Sequence, residues 1–310
     1  MELHLSTERV DIGRAIGHDF YCRSRSAARE AWPAPVHEGF VAARAGHTTR
    51  PLPDRYERKW LQLRLGAFER GRVINDEVTP TLLRLIDVEQ CPVTRQPLTH
   101  GELKDSDWSV DRLNNDGAYA ANNLAVMSTG ANRAKGMLSY EAVYERSQRT
   151  SPIDGLAPVE WLRLAALMLG PCFADRPADA PIIPLAAPIP NRSLRPIVQQ
   201  VQHVFTLGAC KQAGKNQLLK RFKAASPTSV SSLRLGMLCE AMHQAMKGLQ
   251  ERHDVWLNRG VMQAFEAWRA SLDSAAWALA GEISRQILRS RVVPTSRIAS
   301  WHLGNRGYQA

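Results

Sequence analysis

The sequence predicts an α+β protein that is mostly α-helical. Apolar residues recur at three- and four-residue steps along most of the 310 residues, and this is the period of amphipathic helices. Strand-like patterns are concentrated in one short stretch between residues 108 and 128. Six prolines fall within 171–190, and the remainder of the chain has helical patterns only. We therefore expect a small strand–strand–helix motif embedded in helices, followed by an all-α C-terminal domain.

Three helices are predicted before the motif. The first spans 11–29, after which Pro33 and Pro35 favour extended chain. The second begins at Asp54, since an acidic residue is favourable at the positive end of a helix. The third spans 79–87, with a proline in its first turn, where proline is tolerated.

The two strands are predicted within the stretch 91–136. Apolar residues predict one strand at 108–113 and another at 124–127. Between them, 114–117 reads Asn-Asn-Asp-Gly, residue types that tolerate positive φ and favour turns. We expect the chain to reverse there.

A short helix is predicted directly after the second strand. Ser128 or Thr129 can cap its first backbone N–H groups, and Gly136 is placed to end it. Asn132 and Lys135 would lie on this helix.

These residues resemble the HNH endonucleases. The segments DRLNNDGAY, NNLAVMS and ANRAKG follow one another at spacings similar to those of the family's variant with Asp-Arg in place of Asp-His. The resemblance implies a ββα-metal site in which Asp111 and Asn132 bind Mg²⁺ or Mn²⁺ and Asn123 pins the loop between them. It also implies a metal-dependent endonuclease that hydrolyses phosphodiester bonds.

The proton acceptor differs from that of the family. Arg112 occupies the position of the usual histidine, and a guanidinium stays protonated at working pH. We expect Arg112 to contact phosphate instead. His100 is the first candidate base and Asp107 the second, and water acting without a protein base is a further alternative.

The zinc-binding frame that often surrounds this motif is incomplete. Cys91 begins a sequence similar to one zinc knuckle, but Thr94 stands where its partner cysteine would be. A second cysteine pair does not follow the helix. We expect no structural zinc.

The positive charge is concentrated in the last third of the chain. Of the formal net charge of +10, residues 191–310 carry 17 Lys and Arg against 6 Asp and Glu, whereas residues 1–190 carry 23 against 24. This favours a nucleic-acid partner, DNA rather than RNA, although basic residues can also serve solubility alone. The predicted contacts are Lys135 and the basic residues of one helix, namely Lys211, Lys215, Lys220, Arg221 and Lys223.

The domain prediction follows from this pattern. Residues 1–170 contain the motif and further helices at 139–147 and 158–170, and 171–190 is a proline-rich, semi-rigid linker. Residues 191–310 form the basic helical domain, with helices at 194–206, 211–224, 228–250, 253–270 and 272–291.

We expect a cytoplasmic protein with no membrane partner. Its five cysteines are scattered singly, as is usual for reduced thiols. The N-terminus lacks the basic and apolar regions of a secretory signal, and the longest apolar run is too short to cross a bilayer.

Two alternatives to the endonuclease stay open. Loss of the histidine and of the zinc knuckles is what an HNH-derived protein that binds DNA or RNA without catalysis would show. The match can also be accidental, in which case 91–136 is a structural element of a helical scaffold protein.

Overall fold

The structure, a computed structural model, is mostly helical and contains an antiparallel sheet of two strands. It describes residues 7–24, 27–46, 52–193 and 195–290. Of the described residues, 57% are helical and 7% are in strands, which confirms the expected mostly helical α+β class. Among these residues, none of the helices is both long and apolar enough to cross a membrane.

Among the residues that the structure describes, four helices precede the sheet. They are α1 (Thr7–Arg23), α2 (Ala34–Ala45), α3 (Arg55–Glu69) and α4 (Pro80–Leu85). The expectation of extended chain is wrong at Pro35, which lies in the first turn of α2, where a missing N–H costs no hydrogen bond. Pro33 precedes the helix and is extended, with φ of −54° and ψ of 142°. The predicted start of α3 is confirmed, since the Asp54 side chain accepts hydrogen bonds from the first turn.

The sheet and its helix follow in the predicted order. Strand β1 (Trp108–Arg112) pairs antiparallel with β2 (Leu124–Ser128), and α5 (Thr129–Lys135) begins at the next residue. Of the two predicted caps, Ser128 is the one whose side chain accepts a hydrogen bond from the first turn, at 3.2 Å from the N atom of Ala131. Gly136 ends the helix with φ of +47°.

Seven α-helices follow in the described part of the chain: α6 (Tyr140–Ser147), α7 (Pro158–Cys172), α8 (Ile197–Gly208), α9 (Gln212–Phe222), α10 (Ser229–Ala245), α11 (Arg259–Ala270) and α12 (Ser274–Ser290). The helix predicted at 253–270 is divided into a 3-10 helix, Arg252–Leu257, and α11, because the Asn258 side chain caps α11. The predicted start at residue 194 and end at residue 291 lie outside the described residues.

The described chain forms two compact units. The first comprises the described residues up to Ile86 together with Gly117–Ala121, and the second comprises Asp87–Asp116 together with the described residues from Asn122 onward. In the first unit, α1 and α2 pack so closely that a Cβ on Gly17 would lie 1.9 Å from the backbone oxygen of Val36. This division differs from the predicted one at 1–170, 171–190 and 191–310.

The proline-rich segment lies within the second unit. Most of 181–190 has no regular secondary structure, and Ile183 and Leu185 are buried. The side chain of Gln202 on α8 donates a hydrogen bond of 3.0 Å to the carbonyl oxygen of Ile183. The segment differs from the predicted linker because the apolar residues between its prolines pack into the core instead of crossing solvent.

Candidate active site

Helix α5 contacts the face of β1 that carries Ser109 and Asp111. Side chains alternate along a strand, so these two residues share a face. The Nδ2 atom of Asn132 donates a hydrogen bond of 2.7 Å to Ser109 Oγ, and Lys135 Nζ lies 2.8 Å from Asp111 Oδ2. Asn132 and Lys135 are three residues apart and therefore neighbours on the helix surface. The two predicted metal ligands, Asp111 and Asn132, thus lie on facing sides of β1 and α5.

Lys135 is buried at the centre of this contact. Its ammonium donates to the backbone oxygen of Arg112 at 2.7 Å and to Asn115 Oδ1 at 3.0 Å, besides pairing with Asp111. The side chain is 0% exposed. The predicted contact between Lys135 and nucleic acid does not fit this placement, because a fully buried ammonium cannot reach a phosphate.

Asp111 has its charge balanced inside the protein. Its side chain is 11% exposed. Burial raises the pKa of Asp111, whereas the Lys135 ammonium and the Arg112 guanidinium favour the charged carboxylate and oppose that rise. The ion pair with Lys135 replaces part of the water that this buried carboxylate has lost.

Asn123 holds the loop that follows β1. Its side-chain amide exchanges two hydrogen bonds with the backbone of Asn114, and Asn114 Nδ2 donates to the carbonyl oxygen of Pro171 at 3.2 Å. Residues 114–117 have no positive φ. The chain turns at 115–116 and reverses between the antiparallel strands, as predicted, and asparagine side chains shape this loop without positive φ.

Arg112 is also largely enclosed. The residue is 8% exposed, and Nη1 donates a hydrogen bond of 3.0 Å to the carbonyl oxygen of Asn115. The guanidinium therefore contacts the chain's own turn. A phosphate could reach only its small exposed part.

The two candidate bases are not placed beside Asp111. His100 is exposed and packs against Trp108, with 5.5 Å between ring centroids. Trp108 lies three residues from Asp111, about 10 Å along the strand and on its other face. The structure does not bring His100 and Asp111 together.

Asp107 is occupied by a turn. Its carboxylate accepts hydrogen bonds from Thr99 Oγ1 at 2.6 Å and from the N atom of Leu103 at 2.8 Å. The hydrogen bond from Thr99 contributes most to lowering the pKa of Asp107. A carboxylate with a lowered pKa and several donors around it is a weak proton acceptor near neutral pH.

The thiol of Cys91 packs against the end of the sheet. Cys91 is 0% exposed, and Sγ lies 3.3 Å from the N atom of Ser128 and 3.5 Å from that of Thr94. Among the described residues, no three His, Cys, Asp or Glu side chains are grouped so that they could hold a metal ion.

The donor atoms of Asp111 and Asn132 fit a hard divalent cation. Because Asn132 Nδ2 donates to Ser109, the amide oxygen is the atom of Asn132 that can bind a cation. Asp111 has a second carboxylate oxygen besides the one that faces Lys135. Mg²⁺ and Mn²⁺ accept such oxygen ligands, and Mg²⁺ usually keeps several waters.

Helix α9 carries the predicted basic surface. Lys211, Lys220, Arg221 and Lys223 are exposed, and Leu218 and Phe222 are buried. Lys215 differs, because its side chain is only 12% exposed and Nζ lies 2.6 Å from Glu240 Oε2. Four of the five predicted cations on or beside α9 are therefore accessible to a polyanion.

A second enclosed charge cluster joins the turn after Cys91 to the 3-10 helix. Arg95 makes a two-pronged ion pair with Asp254, one bond of which joins Nη1 and Oδ2 at 2.7 Å. Burial, followed by the nearby Arg95 guanidinium, lowers the pKa of the adjacent His253 to about 4. Sequence patterns did not reveal this cluster, because Arg95 and Asp254 are 159 residues apart.

Sequence reasoning also missed Ser109 and the burial of Lys135. Strand alternation from Asp111 identifies Ser109 as a neighbour on the same face, and the three-residue step from Asn132 identifies Lys135. These signals show which face each residue occupies but not how deeply it is buried.

No protein-family model matches the chain, and searches for similar curated proteins and solved structures found no match.

Proposed function

We propose that this chain is a metal-dependent endonuclease that hydrolyses phosphodiester bonds in nucleic acid, DNA in the first instance, with Mg²⁺ or Mn²⁺ as cofactor. The packing of α5 on β1 carries the proposal, because it sets Asn132 and Asp111 on facing sides of one contact. The exposed cations of α9 add a surface that can bind a polyanion.

Each residue of the contact has a distinct task. Asp111 and Asn132 would hold the divalent ion through oxygen atoms, and Ser109 fixes which way the Asn132 amide points. When bound, the ion stabilises the negative charge that develops in phosphodiester displacement. Lys135 holds one carboxylate oxygen of Asp111, and Asn123 holds the loop that follows it.

None of the candidate bases among the described residues is well placed to accept a proton from the attacking water. The guanidinium of Arg112 has no acceptor atom for a proton, and Asp107 is engaged by several donors. His100 is exposed but lies on the other side of β1. Attack by water without a protein base is therefore the alternative that agrees best with these positions.

A plasmid-nicking assay tests the proposal. We expect supercoiled plasmid to be nicked in Mg²⁺ or Mn²⁺ and spared in EDTA. Asp111→Asn should abolish nicking, because a neutral amide attracts the cation less than a carboxylate does. Asn132→Ala should require a higher metal concentration, while the exposed control Asn216→Ala should match the wild type. Nicking by Asp111→Asn at the wild-type rate would exclude this site.

Two observations favour a second candidate, a nucleic-acid-binding protein without catalysis. The Lys135 ammonium already neutralises Asp111, and an arginine stands where the family has its base. Such a protein should retain plasmid in a gel-shift assay equally with EDTA and with Mn²⁺ and should nick it in neither. Metal-dependent nicking that is lost in Asp111→Asn would exclude this candidate.

A further inference from the structure

Three oxygen atoms surround the ammonium of Lys135. Two belong to β1, namely Asp111 Oδ2 at 2.8 Å and the backbone oxygen of Arg112 at 2.7 Å. The third is Asn115 Oδ1 at 3.0 Å, in the loop that follows the strand. The ammonium, which has three N–H donors and no acceptor, donates hydrogen bonds to the oxygens of Arg112 and Asn115 and forms an ion pair with Asp111 Oδ2. Because the side chain is 0% exposed, the group is enclosed as an internal cation.

The same contacts connect three parts of the motif. Lys135 is the last residue of α5, and its ammonium reaches both β1 and the loop after it. Asn115 returns the connection, because its Nδ2 donates to the backbone oxygens of Gly136 at 3.2 Å and Leu138 at 3.3 Å. The strand, the loop and the end of the helix therefore meet around one positive charge.

We propose that Lys135 is the resident cation of this site, meaning a covalently attached positive charge that holds Asp111 Oδ2 and keeps a divalent ion away from that oxygen. The strand–strand–helix motif is then complete without a divalent metal. A metal ion that binds Asp111 must use the other carboxylate oxygen. That the motif is complete without a metal goes beyond the proposed endonuclease. That a metal must use the other carboxylate oxygen rests on the proposed endonuclease.

Removal of the ammonium should open the oxygen cluster to a cation from solution. Lys135→Ala leaves Asp111 buried without its partner, so we expect Tm to fall by about 10 °C. Mn²⁺ should then raise the Tm of Lys135→Ala in a saturable way, and by several degrees more than it raises that of the wild type. The double variant Lys135→Ala with Asp111→Asn should lose this response. The wild type should keep its Tm in EDTA.

Two results would overturn the proposal. One is a fall in the Tm of the wild type in EDTA, which would show that a divalent ion completes the motif. The other is a Mn²⁺ response of Lys135→Ala no larger than that of the wild type. Tm does not depend on cleavage. Absence of nicking in the wild type would therefore contradict the proposed endonuclease activity but not the proposed role of Lys135.

A neutral pair keeps the test decisive if Lys135→Ala does not fold. Lys135→Met and Asp111→Asn should each lower Tm, whereas the double variant should lose far less than the sum of the two. Lys215→Met, which removes an ammonium paired with Glu240 at the surface, should lower Tm by at most about 3 °C. A double variant whose loss equals the sum would show that the two charges are not coupled and would overturn the proposal.

Discussion

Asn123 and Asn114 are joined by two reciprocal hydrogen bonds at the end of the β1–β2 pair. Asn123 Oδ1 accepts from the backbone N of Asn114 at 2.7 Å, and its Nδ2 donates to the backbone O of Asn114 at 2.9 Å. Asn123 is 6% exposed. One buried amide thus satisfies both backbone groups of a loop residue where little water can replace it.

Asn123→Ala should therefore destabilise the protein more than the substitution of an exposed polar residue does. Removing the amide leaves a partly buried N–H and a partly buried C=O of Asn114 without this partner, so we expect a loss of about 2 kcal/mol in the free energy of unfolding. Urea denaturation followed by circular dichroism measures it. Asn216→Ala, on the exposed side of α9, is the matched control and should change stability by less than about 0.5 kcal/mol. Equal values for the two variants would show that the reciprocal bonds contribute nothing.

Ser109→Ala should lower the affinity of the site for the metal ion while leaving both proposed ligands, Asp111 and Asn132, in place. The Ser109 hydroxyl oxygen accepts a hydrogen bond of 2.7 Å from Asn132 Nδ2 and so fixes the orientation of the amide. Loss of such an orienting contact typically costs 10- to 100-fold in metal affinity. We expect the Mn²⁺ concentration for half-maximal nicking to rise at least about tenfold. Ser232→Ala, an exposed change on α10, should leave that concentration unchanged, and an unchanged value for Ser109→Ala would exclude the orienting role.

His253 makes stability depend on acidity. Its pKa is lowered from 6.5 to about 4 in the folded chain, first by burial and then by Arg95, while Asp254 acts in the opposite direction. Its ring stacks on that of His203 at 6.4 Å. Between pH 6.5 and about 4 the unfolded chain binds the proton and the folded chain does not. The contribution of the neutral His253 to the free energy of unfolding should therefore be complete above pH 6.5. It should be lost progressively as the pH falls to about 4.

The size of this effect can be measured by substitution. A depression of this extent corresponds to about 3 kcal/mol between the two ends of the window. His253→Gln should flatten the profile of unfolding free energy against pH by that amount. His100→Gln, which changes an exposed histidine of the same unit, should leave the slope as in the wild type. A slope that survives in His253→Gln would assign the acid sensitivity to other groups.

Local signals were sufficient for the central motif. The strands, the Ser128 cap and the Gly136 terminus depend on neighbouring residues, and all were predicted from the sequence. Helix α2 was missed because Pro33 and Pro35 fit a helix start as well as extended chain. Sequence alone does not decide between these two uses of proline.

Burial was the property that the sequence did not reveal. Lys135 was predicted to contact nucleic acid, which requires an exposed ammonium. It is enclosed instead because Asp111, Arg112 and Asn115 supply oxygens from a strand and a loop that tertiary packing brings to it. The proline-rich segment was misjudged for a related reason, since the apolar residues between its prolines are buried by α8 and its neighbours. Such partners are set by the whole fold and not by local spacing.

The basic residues of α9 should account for much of the salt dependence of nucleic-acid binding. Lys220, Arg221 and Lys223 are exposed near the end of the helix, whereas Lys215 is paired with Glu240 and only 12% exposed. Each phosphate contact releases counterions and contributes about −0.9 to the slope of log K against log salt concentration on duplex DNA. Replacing these three exposed cations by glutamine should therefore flatten the slope by up to about three units.

The salt series is best measured on the full chain, because residues on both sides of position 190 belong to the same compact unit. Fluorescence anisotropy with a labelled duplex at increasing KCl gives the slope for each variant. A matched control removes the same charge from the first unit, where Arg44, Arg58 and Arg72 are also exposed. If binding depended on net charge alone, both triple variants would flatten the slope equally, because each lowers the formal charge of +10 by the same amount. A slope that changes with the α9 variant and not with the control places the phosphate contacts on that helix, and equal changes would reduce its basic surface to a contribution to solubility.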